Sequence, residues 1–285
     1  MLTLIVVFLF LHFFIPIELE DVWWHLATGR WIFEHAQVPF VDPFAFESAG
    51  KPWVCYHWLA SSILYSIFKI SGLWGLKVFR ALFFVVVVGI FYFYSRRHLP
   101  FSFLLGLVVL MVLGISQRFF LKPDMFNLIF IQVFLIQLIS YMHHRETKTL
   151  LIIPLLGILW FNLHLGAFIY GTALISIFLL ASIVARNWTA AKDITLVLIL
   201  FFGGFLINPY GVTDFLYPFQ TFFSSHSSGF YNVKHVVMDL LPGTYIFQSF
   251  HYIHFHLLVL FGFVALLFIR QHRLVFVLLW VCALG

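Results

Sequence analysis

Long apolar runs separated by short polar turns dominate the pattern along this chain. A span needs about 17–25 apolar residues to cross a bilayer. Runs of about that length, some slightly short, lie at nine places: 2–18, 74–95, 100–117, 124–142, 149–163, 166–185, 193–208, 252–269 and 274–285. The shorter apolar segment 57–72 is typical of an interfacial or re-entrant helix. The pattern predicts an all-α, polytopic integral membrane protein with about nine transmembrane helices. They form one domain over 1–285, and because the last run reaches the final residue we expect the natural chain to continue.

The composition fits a lipid-solvated chain. Of the 285 residues, 63% are hydrophobic and 9% are charged, whereas a soluble domain carries about 25% charged residues. The net charge of +5 comes from short basic clusters between apolar runs, with no basic stripe of the kind that binds nucleic acid. No Lys or Arg precedes the first run, which predicts a retained anchor rather than a cleaved signal peptide. We expect membrane lipid, and not nucleic acid, as a partner.

The distribution of basic residues predicts the orientation. If the N-terminus is cytoplasmic, the turns after the second, fourth, sixth and eighth spans lie inside. Those turns contain eight of the 16 Lys and Arg and only two acidic residues, Glu146 and Asp193, as the positive-inside rule requires. The segments 19–73 and 209–251 then form outward-facing loops. The prediction is a multi-pass protein of the cell's inner (cytoplasmic) membrane with a cytoplasmic N-terminus.

The first outer loop contains the pattern of an amphipathic helix lying on the membrane, over 20–34. Asp21 and His25 are four residues apart and therefore share a face of that helix. This pair is a candidate active-site feature. A purely structural role is equally open and compatible with it, because Asp21 can cap the helix while the tryptophans anchor it among the headgroups.

Further polar residues collect at the outer ends of the predicted spans. Arg118, Lys122 and Asp124 join the third span to the fourth. Polar groups at membrane depth are costly and often functional, so we expect them to converge on one site with Asn162, His164, Asn208 and Tyr210 from the later connections. Structural alternatives exist for each. Basic residues snorkel to lipid headgroups, Asp124 can pair with Lys122, His164 can link two helices, and 208–211 is a good helix stop.

No metal or other cofactor is expected. In the cluster His251, His254 and His256 only the first two share a helical face, and no Cys or carboxylate stands at a matching spacing. Walker, dinucleotide-binding and Gly-x-Ser-x-Gly patterns are missing from the sequence. Nucleotide-driven transport and serine-hydrolase chemistry therefore have no support.

Several motifs together resemble a group of bacterial polytopic membrane proteins related to the GT-C glycosyltransferases, which take a sugar from a polyprenyl-linked donor at the outer membrane face. The resemblance spans most of the chain and rests on DVWWHLATGRWI (21–32), VPFVDPF (38–44), GKPWV (50–54), WL (58–59), KPDMF (122–126), LWFNLHLG (159–166) and NPYG (208–211). The chain differs from that group's pattern in having Lys122 in place of Arg, Asp124 in place of His, and His57 in place of a carboxylate. It also lacks the Glu-Trp pair expected in the second outer loop, near 233–238.

The resemblance implies a mechanism and a set of roles. The acidic residue after the first span, Asp21 or its neighbour Glu20, acts as general base on an acceptor hydroxyl. Positive charge stabilises the leaving polyprenyl phosphate, a stable anion that needs no metal. The implied substrate-binding residues are Arg118, Lys122 and His164 for the phosphate, Asn162, Asn208 and Tyr210 for sugar hydroxyls, and His25, Arg30, His57 and Asp124 elsewhere in the site.

Two other classes of function remain open on the sequence. A transporter or flippase for a lipid-linked or small polar substrate would favour charges at the membrane midplane, whereas here they lie near one face. A non-catalytic lipid-binding protein would explain the four departures from the motif pattern. The predicted function is a membrane glycosyltransferase with a polyprenyl-phosphate-linked sugar donor and an acceptor that the sequence does not specify.

Overall fold

The computed structural model describes residues 2–14, 17, 21–44, 46, 50–116 and 120–217. Over these residues the chain is helical and contains no strand, only an isolated bridge between Val41 and Pro52. A 3-10 turn, Pro123–Phe126, precedes α5, and a π-helical turn, Ala167–Gly171, leads into α7. The helices are α1 (Leu2–Phe13), α2 (Asp21–His35), α3 (Trp58–Ser95), α4 (Phe101–Ser116), α5 (Asn127–His144), α6 (Thr147–Leu163), α7 (Thr172–Val184) and α8 (Trp188–Gly204).

Three helical segments are long and apolar enough to cross a membrane, namely Trp58–Ser95, Pro123–His144 and Ala167–Val184. Two shorter apolar helices, Phe101–Val112 and Thr147–Leu163, accompany them. The prediction of an all-helical, membrane-embedded chain is thus confirmed for the described part. A helix lies at each predicted span from 2–18 to 193–208. The predicted spans 252–269 and 274–285 and most of the loop 209–251 lie outside the described residues, so the total of nine stays a prediction.

Gly72 divides α3 into a short first part and a long second part. Its φ of 58° and ψ of −153° are not helical, and only glycine adopts such angles without a steric penalty. The break lies where the sequence separates the segment 57–72 from the span 74–95. The axis of α3 can therefore change direction at Gly72. Helix α2 packs on the part of α3 that precedes this break.

Helix α2, which the sequence predicts as an amphipathic helix over 20–34, packs on α3 through one face. Its buried residues are Val22, His25, Leu26, Thr28 and Gly29. Trp23 and Trp24 are exposed, and on the opposite face Arg30 donates to Glu34 over 2.7 Å. Gly29 permits this packing, because a Cβ there would overlap the Ser61 carbonyl oxygen and lie 2.6 Å from Tyr65 Cβ.

We expect Gly29→Ala to destabilise the fold by about 1–3 kcal/mol, the usual cost of forcing an extra carbon into a packed contact. The atoms in the way belong to backbone and to a Cβ, so no side-chain rotation relieves them. Gly89→Ala is the matched control, since a Cβ at Gly89 meets nothing within 4 Å. Thermal unfolding in lipid nanodiscs measures both variants. An unchanged midpoint for Gly29→Ala contradicts the close helix contact.

The helix bundle formed by α5 to α8 brings the start of α5 to the end of α6. Trp160 of α6 is fully buried, stacks on Phe130 with ring centroids 5.2 Å apart, and donates from Nε1 to Asn127 Oδ1 over 2.8 Å. The Phe201 ring fills the space that a side chain at Gly157 or Gly171 would need. These contacts fix the connections before α5 and after α6 as neighbours at one end of the bundle.

The basic turns lie at the other end. Successive helices reverse direction, so the turns after α3, α5 and α7 are a full helix length from the connections just described. Tyr141, near the end of α5, donates its hydroxyl to Asp193 near the start of α8 over 2.6 Å. The opposite end of the bundle thus contains Arg96, Arg145 and Arg186. The separation agrees with the predicted charge asymmetry, while the side that faces the cytoplasm stays a prediction.

Cysteine labelling tests that orientation. We expect Lys51→Cys, in the first loop, to react with a membrane-impermeant maleimide added to the outside of intact cells. Lys148→Cys, in an opposite turn, should react only after lysis. Both positions are exposed, whereas the native Cys55 is buried, and Cys282→Ser supplies the background chain. The reverse pattern of labelling would show that the predicted orientation is wrong, and the site would then not lie at the outer face.

Candidate functional site

A cavity of about 680 Å³ opens where the first loop meets the connections before α5 and after α6. It lies at the ends of the helices rather than halfway along them. Six of the residues singled out in the sequence line it together, although they come from separate parts of the chain: Asp21, His25, His57, Lys122, Asp124 and His164. Tyr56, Asn127 and Tyr170, which the sequence did not single out, add further polar groups to its wall.

The other predicted residues that the structure describes do not line the cavity. Arg30 is on the exposed face of α2. Asn162 accepts from Trp58 Nε1 over 2.9 Å and donates to the carbonyl oxygens of Ile158 and Ile207. Asn208 donates to two carbonyl oxygens in its own turn. Glu20 and Arg118 lie outside the described residues.

Tyr210 also makes its contacts within the protein. Its hydroxyl donates to the Pro39 carbonyl over 2.7 Å and accepts the Cys55 backbone N–H over 3.2 Å. These bonds connect the turn after α8 to both sides of the first loop. Tyr210 and Asn162 therefore hold the walls around the cavity, a role for which the sequence motif alone gives no sign.

One serine joins two histidines in the cavity wall. Ser61 Oγ lies 3.2 Å from His25 Nδ1 and 3.0 Å from His57 Nδ1. The two imidazole rings are nearly perpendicular, with centroids 4.6 Å apart. Cys55 Sγ lies 3.6 Å from His57 Nδ1. The spacing of four residues between His57 and Ser61 on α3 was a usable sequence signal, but the contact with His25 depends on how α2 packs.

The backbone fixes the tautomer of His164. The N–H of Gly166 donates to His164 Nδ1 over 2.9 Å. A backbone N–H can only donate, so this nitrogen carries no proton, and neutral His164 presents an Nε2–H as a donor. A side chain at Gly166 would meet Asn127 Oδ1 at 2.6 Å and His164 Nδ1 at 2.7 Å. Glycine therefore keeps this turn tight against the start of α5.

Burial keeps the three histidines neutral. It lowers the pKa of His25 to about 3, with the nearby His57, His164 and Lys122 adding to the effect. Burial likewise lowers the pKa of His57 to about 4, against a hydrogen bond that raises it. The pKa of His164 falls to about 4 through burial and the charges of His57 and Lys122. At neutral pH these rings act as hydrogen-bond donors and acceptors rather than as cations.

Lys122 is then the cation of the cavity wall in the part of the chain that the structure describes. Its Nζ lies 3.8 Å from Asp124 Oδ2, and only a small part of its side chain is exposed. Across the described ranges no group of three or more His, Cys, Asp and Glu side chains has the arrangement of a metal site. The cavity thus offers one ammonium group, two carboxylates and neutral imidazoles.

Acid should destabilise the protein as the pH falls below 6.5, because three buried histidines are neutral in the folded state. The three histidines have folded-state pKa values below the unfolded value of 6.5, so the unfolded chain takes up protons first as the pH falls. The free energy of unfolding that the neutral histidines contribute is fully present above pH 6.5. It is lost as the pH falls from 6.5 to about 4. His57 alone lowers the free energy of unfolding by about 2 kcal/mol at pH 5 relative to neutral pH.

The measurement is the unfolding midpoint in nanodiscs between pH 7.5 and 4.5. His57→Gln should flatten the fall with pH, whereas His143→Gln, on an exposed histidine at the opposite end, should not. Parallel curves for wild type and His57→Gln contradict a neutral buried His57.

Two buried ionisable groups were not foreseen from the sequence. Arg80 is enclosed within the long part of α3, where a charged side chain is expensive. Asp214 is buried in the helical turn 212–217, and burial raises its pKa to about 6. Its Oδ1 makes no hydrogen bond within the described residues. Neither residue lines the cavity.

Comparison with known proteins identifies no relative. No protein-family model matches the chain, and no curated protein or solved structure matches it either. The resemblance based on the sequence motifs stays a prediction.

Proposed function

We propose that this chain is a membrane glycosyltransferase of the GT-C type. It moves a sugar from a polyprenyl-phosphate donor to an acceptor hydroxyl at the outer face of the cytoplasmic membrane. One observation carries the proposal: a single cavity at the helix ends combines a carboxylate, an ammonium group and neutral imidazoles drawn from separate segments. That set of groups matches what sugar transfer from a phosphate requires.

The donor side of the reaction needs hydrogen-bond donors for the leaving phosphate. Lys122 Nζ supplies a charged donor, and His164 supplies an Nε2–H whose position the Gly166 contact fixes. Bonds from a charged donor to phosphate are the stronger kind. The donor's lipid chain would stay in the bilayer beside the cavity, with the sugar phosphate inside.

The acceptor side needs a base. Asp21 is exposed at the first residue of α2 and lines the cavity. Its carboxylate accepts the proton of the acceptor hydroxyl while the hydroxyl oxygen attacks the anomeric carbon. The bond between that carbon and the phosphate oxygen breaks, and polyprenyl phosphate leaves with the electron pair. Every atom and charge is accounted for without a metal ion.

The size and position of the cavity favour this function over transport. Its volume of about 680 Å³ lies in the range of small-molecule sites, about 300–1,000 Å³. The polar lining lies at helix ends, where a lipid headgroup is presented, and not at the midplane where transporters bind their substrates. Lys122, Asp124 and His57, the residues at which the chain differs from the motif pattern, all line the cavity. The differences therefore change the groups that would contact the substrate.

Transfer in proteoliposomes tests the proposal. Purified full-length protein is given a panel of radiolabelled polyprenyl-phosphate sugars, and the aqueous products are analysed for new glycosides. Mass spectrometry of lipid-linked sugars and surface glycans, with and without the gene, identifies the natural donor. A flippase would move the labelled lipid between leaflets without forming a glycosidic bond. That result, or an unchanged lipid and glycan profile, overturns the proposal.

A further inference from the structure

The hydroxyl of Ser61 is shared by two imidazoles. Ser61 lies in the first turn of α3 and has no exposed surface. Its Oγ is within hydrogen-bond distance of the Nδ1 atoms of both His25 and His57. A hydroxyl has one hydrogen, so Ser61 can donate to only one of these nitrogens. The other imidazole must then donate its own Nδ1–H to the Ser61 oxygen.

The alternative arrangement is unfavourable. If both imidazoles donated to Ser61, the serine hydrogen would point to neither of the two partners at Oγ. Buried hydroxyls almost always find an acceptor. The two histidines therefore hold opposite tautomers. One carries its hydrogen on Nδ1 and has a bare Nε2, and the other has a bare Nδ1 and an Nε2–H.

We propose that His25, Ser61 and His57 form a proton relay in the wall of the cavity. A proton that binds Nε2 of His25 releases the Nδ1 hydrogen to Ser61 Oγ. The Ser61 hydrogen passes to Nδ1 of His57, and His57 gives up its Nε2 hydrogen. One proton enters, one leaves, and no charge remains on either ring. Solvent protons in the cavity restore the starting tautomers.

The surroundings of His25 and His57 favour proton transfer between the two rings over a stably protonated imidazole. Lys122 lies close enough to His25 to disfavour a second positive charge there, and the rings of His25 and His57 are both buried. Asp21 precedes His25 by one turn of α2, and the Cys55 thiol adjoins His57. A protonated imidazole is unfavourable here, so a proton that binds one ring is transferred to the next. The hydrogen bonds through Ser61 provide the path for that transfer.

This role rests on the proposed function. The acceptor hydroxyl gives its proton to Asp21, and the relay receives it at His25. His57 delivers a proton to the departing phosphate, whose second ionisation lies near pH 6. The acceptor O–H bond is broken and a P–O–H bond is formed, and Asp21 regains its charge. Ser61 does not itself line the cavity, and its hydroxyl is within hydrogen-bond distance of both imidazoles, so it acts through them as a positioning residue.

Nuclear magnetic resonance tests the relay without any substrate. Full-length protein labelled with nitrogen-15 histidine is placed in nanodiscs at pH 7, and signals are assigned with His25→Gln and His57→Gln. Nitrogen shifts distinguish the two tautomers. We expect opposite tautomers for His25 and His57, and loss of that complementarity in Ser61→Ala. The same tautomer at both residues, or an unchanged pattern in Ser61→Ala, overturns the relay even if the protein transfers sugar.

The transfer assay then tests the role of the relay. Ser61→Ala should lower turnover at least about tenfold, a modest share of what positioned proton transfer supplies, with an unchanged donor KM. The control is Ser62→Ala, whose hydroxyl donates to the Trp58 carbonyl over 2.8 Å and to neither histidine, and whose turnover should be normal. Ser61→Thr keeps the hydroxyl and should recover activity.

The outcomes separate the two proposals. Opposite tautomers in a protein that transfers no sugar would leave the relay standing and remove the proposed function. Normal turnover in Ser61→Ala, in a wild type that is active, would remove the relay and leave the function. If Ser61→Thr folds but stays as inactive as Ser61→Ala, the hydroxyl is not what matters, and the relay fails.

Discussion

Asp21→Asn should lower sugar-transfer turnover at least about a hundredfold, the usual scale for a positioned general base. Donor binding should survive, because Lys122 and His164 lie on other segments of the cavity wall. Asparagine has nearly the same shape and caps a helix as well as aspartate does. A purely structural Asp21 therefore predicts little change, and the two interpretations differ by two orders of magnitude. The measurement is transfer in proteoliposomes, with donor affinity determined in parallel.

Glu34→Gln is the matched control for this experiment. Glu34 is an exposed carboxylate on the same helix, and it accepts from Arg30 rather than facing the cavity. Its loss should leave turnover unchanged. Near-normal turnover in Asp21→Asn removes the assignment, and Glu20→Gln then decides whether the neighbouring carboxylate is the base. If both variants are active, glycosyl transfer gives way to transport or lipid binding.

The positions of the helices could be predicted because they depend on local physics. A bilayer span requires a minimum apolar length, so the runs at 74–95 and 166–185 can be recognised as spans from the sequence alone. The sequence separates 57–72 from the span 74–95, and the structure breaks α3 between them at Gly72, where the backbone conformation needs glycine. The pattern of 20–34 predicts a helix, and α2 covers Asp21–His35. None of these predictions needs a contact between distant residues.

The contacts inside the site could not be predicted from local patterns. His25 and Ser61 are 36 positions apart, and Tyr210 and Pro39 are 171 apart. Such pairs depend on how closely helices pack, which Gly29 governs through one missing carbon atom. The same motif residues thus divide into two groups, since Asn162 and Tyr210 hold the wall while His25 and His164 face the cavity.

Burial also changes what the histidines can do. A sequence with three histidines near one membrane face suggests a partly cationic site at slightly acidic pH. The structure gives instead neutral rings, with Nδ1 of His164 accepting from Gly166 and Nδ1 of His25 and of His57 within hydrogen-bond distance of Ser61 Oγ. The charge that faces a phosphate is then concentrated on Lys122 within the described residues. A single side chain therefore becomes decisive for donor binding.

Lys122→Gln should weaken binding of a polyprenyl-phosphate sugar about tenfold to a hundredfold, since a hydrogen bond from a charged donor contributes about 1.5–3 kcal/mol. The loss should be largest at low salt, where the charge is least screened. Isothermal titration of the nanodisc-embedded protein at two ionic strengths measures it. Lys51→Gln, on an exposed lysine of the first loop that does not line the cavity, is the control and should bind normally.

Asp124→Asn distinguishes a phosphate-binding lysine from one that merely pairs with its neighbour. Asp124 Oδ2 lies 3.8 Å from Lys122 Nζ, so its charge competes with a phosphate for the same ammonium group. If Lys122 binds the donor, removing that charge should leave the affinity unchanged or increase it. If the ion pair exists only to hold the connection before α5, Asp124→Asn and Lys122→Gln should both lower the unfolding midpoint, and neither should change the affinity of the folded protein. That result would return Lys122 to the role of a structural, headgroup-facing residue and leave the proposed donor site without its cation.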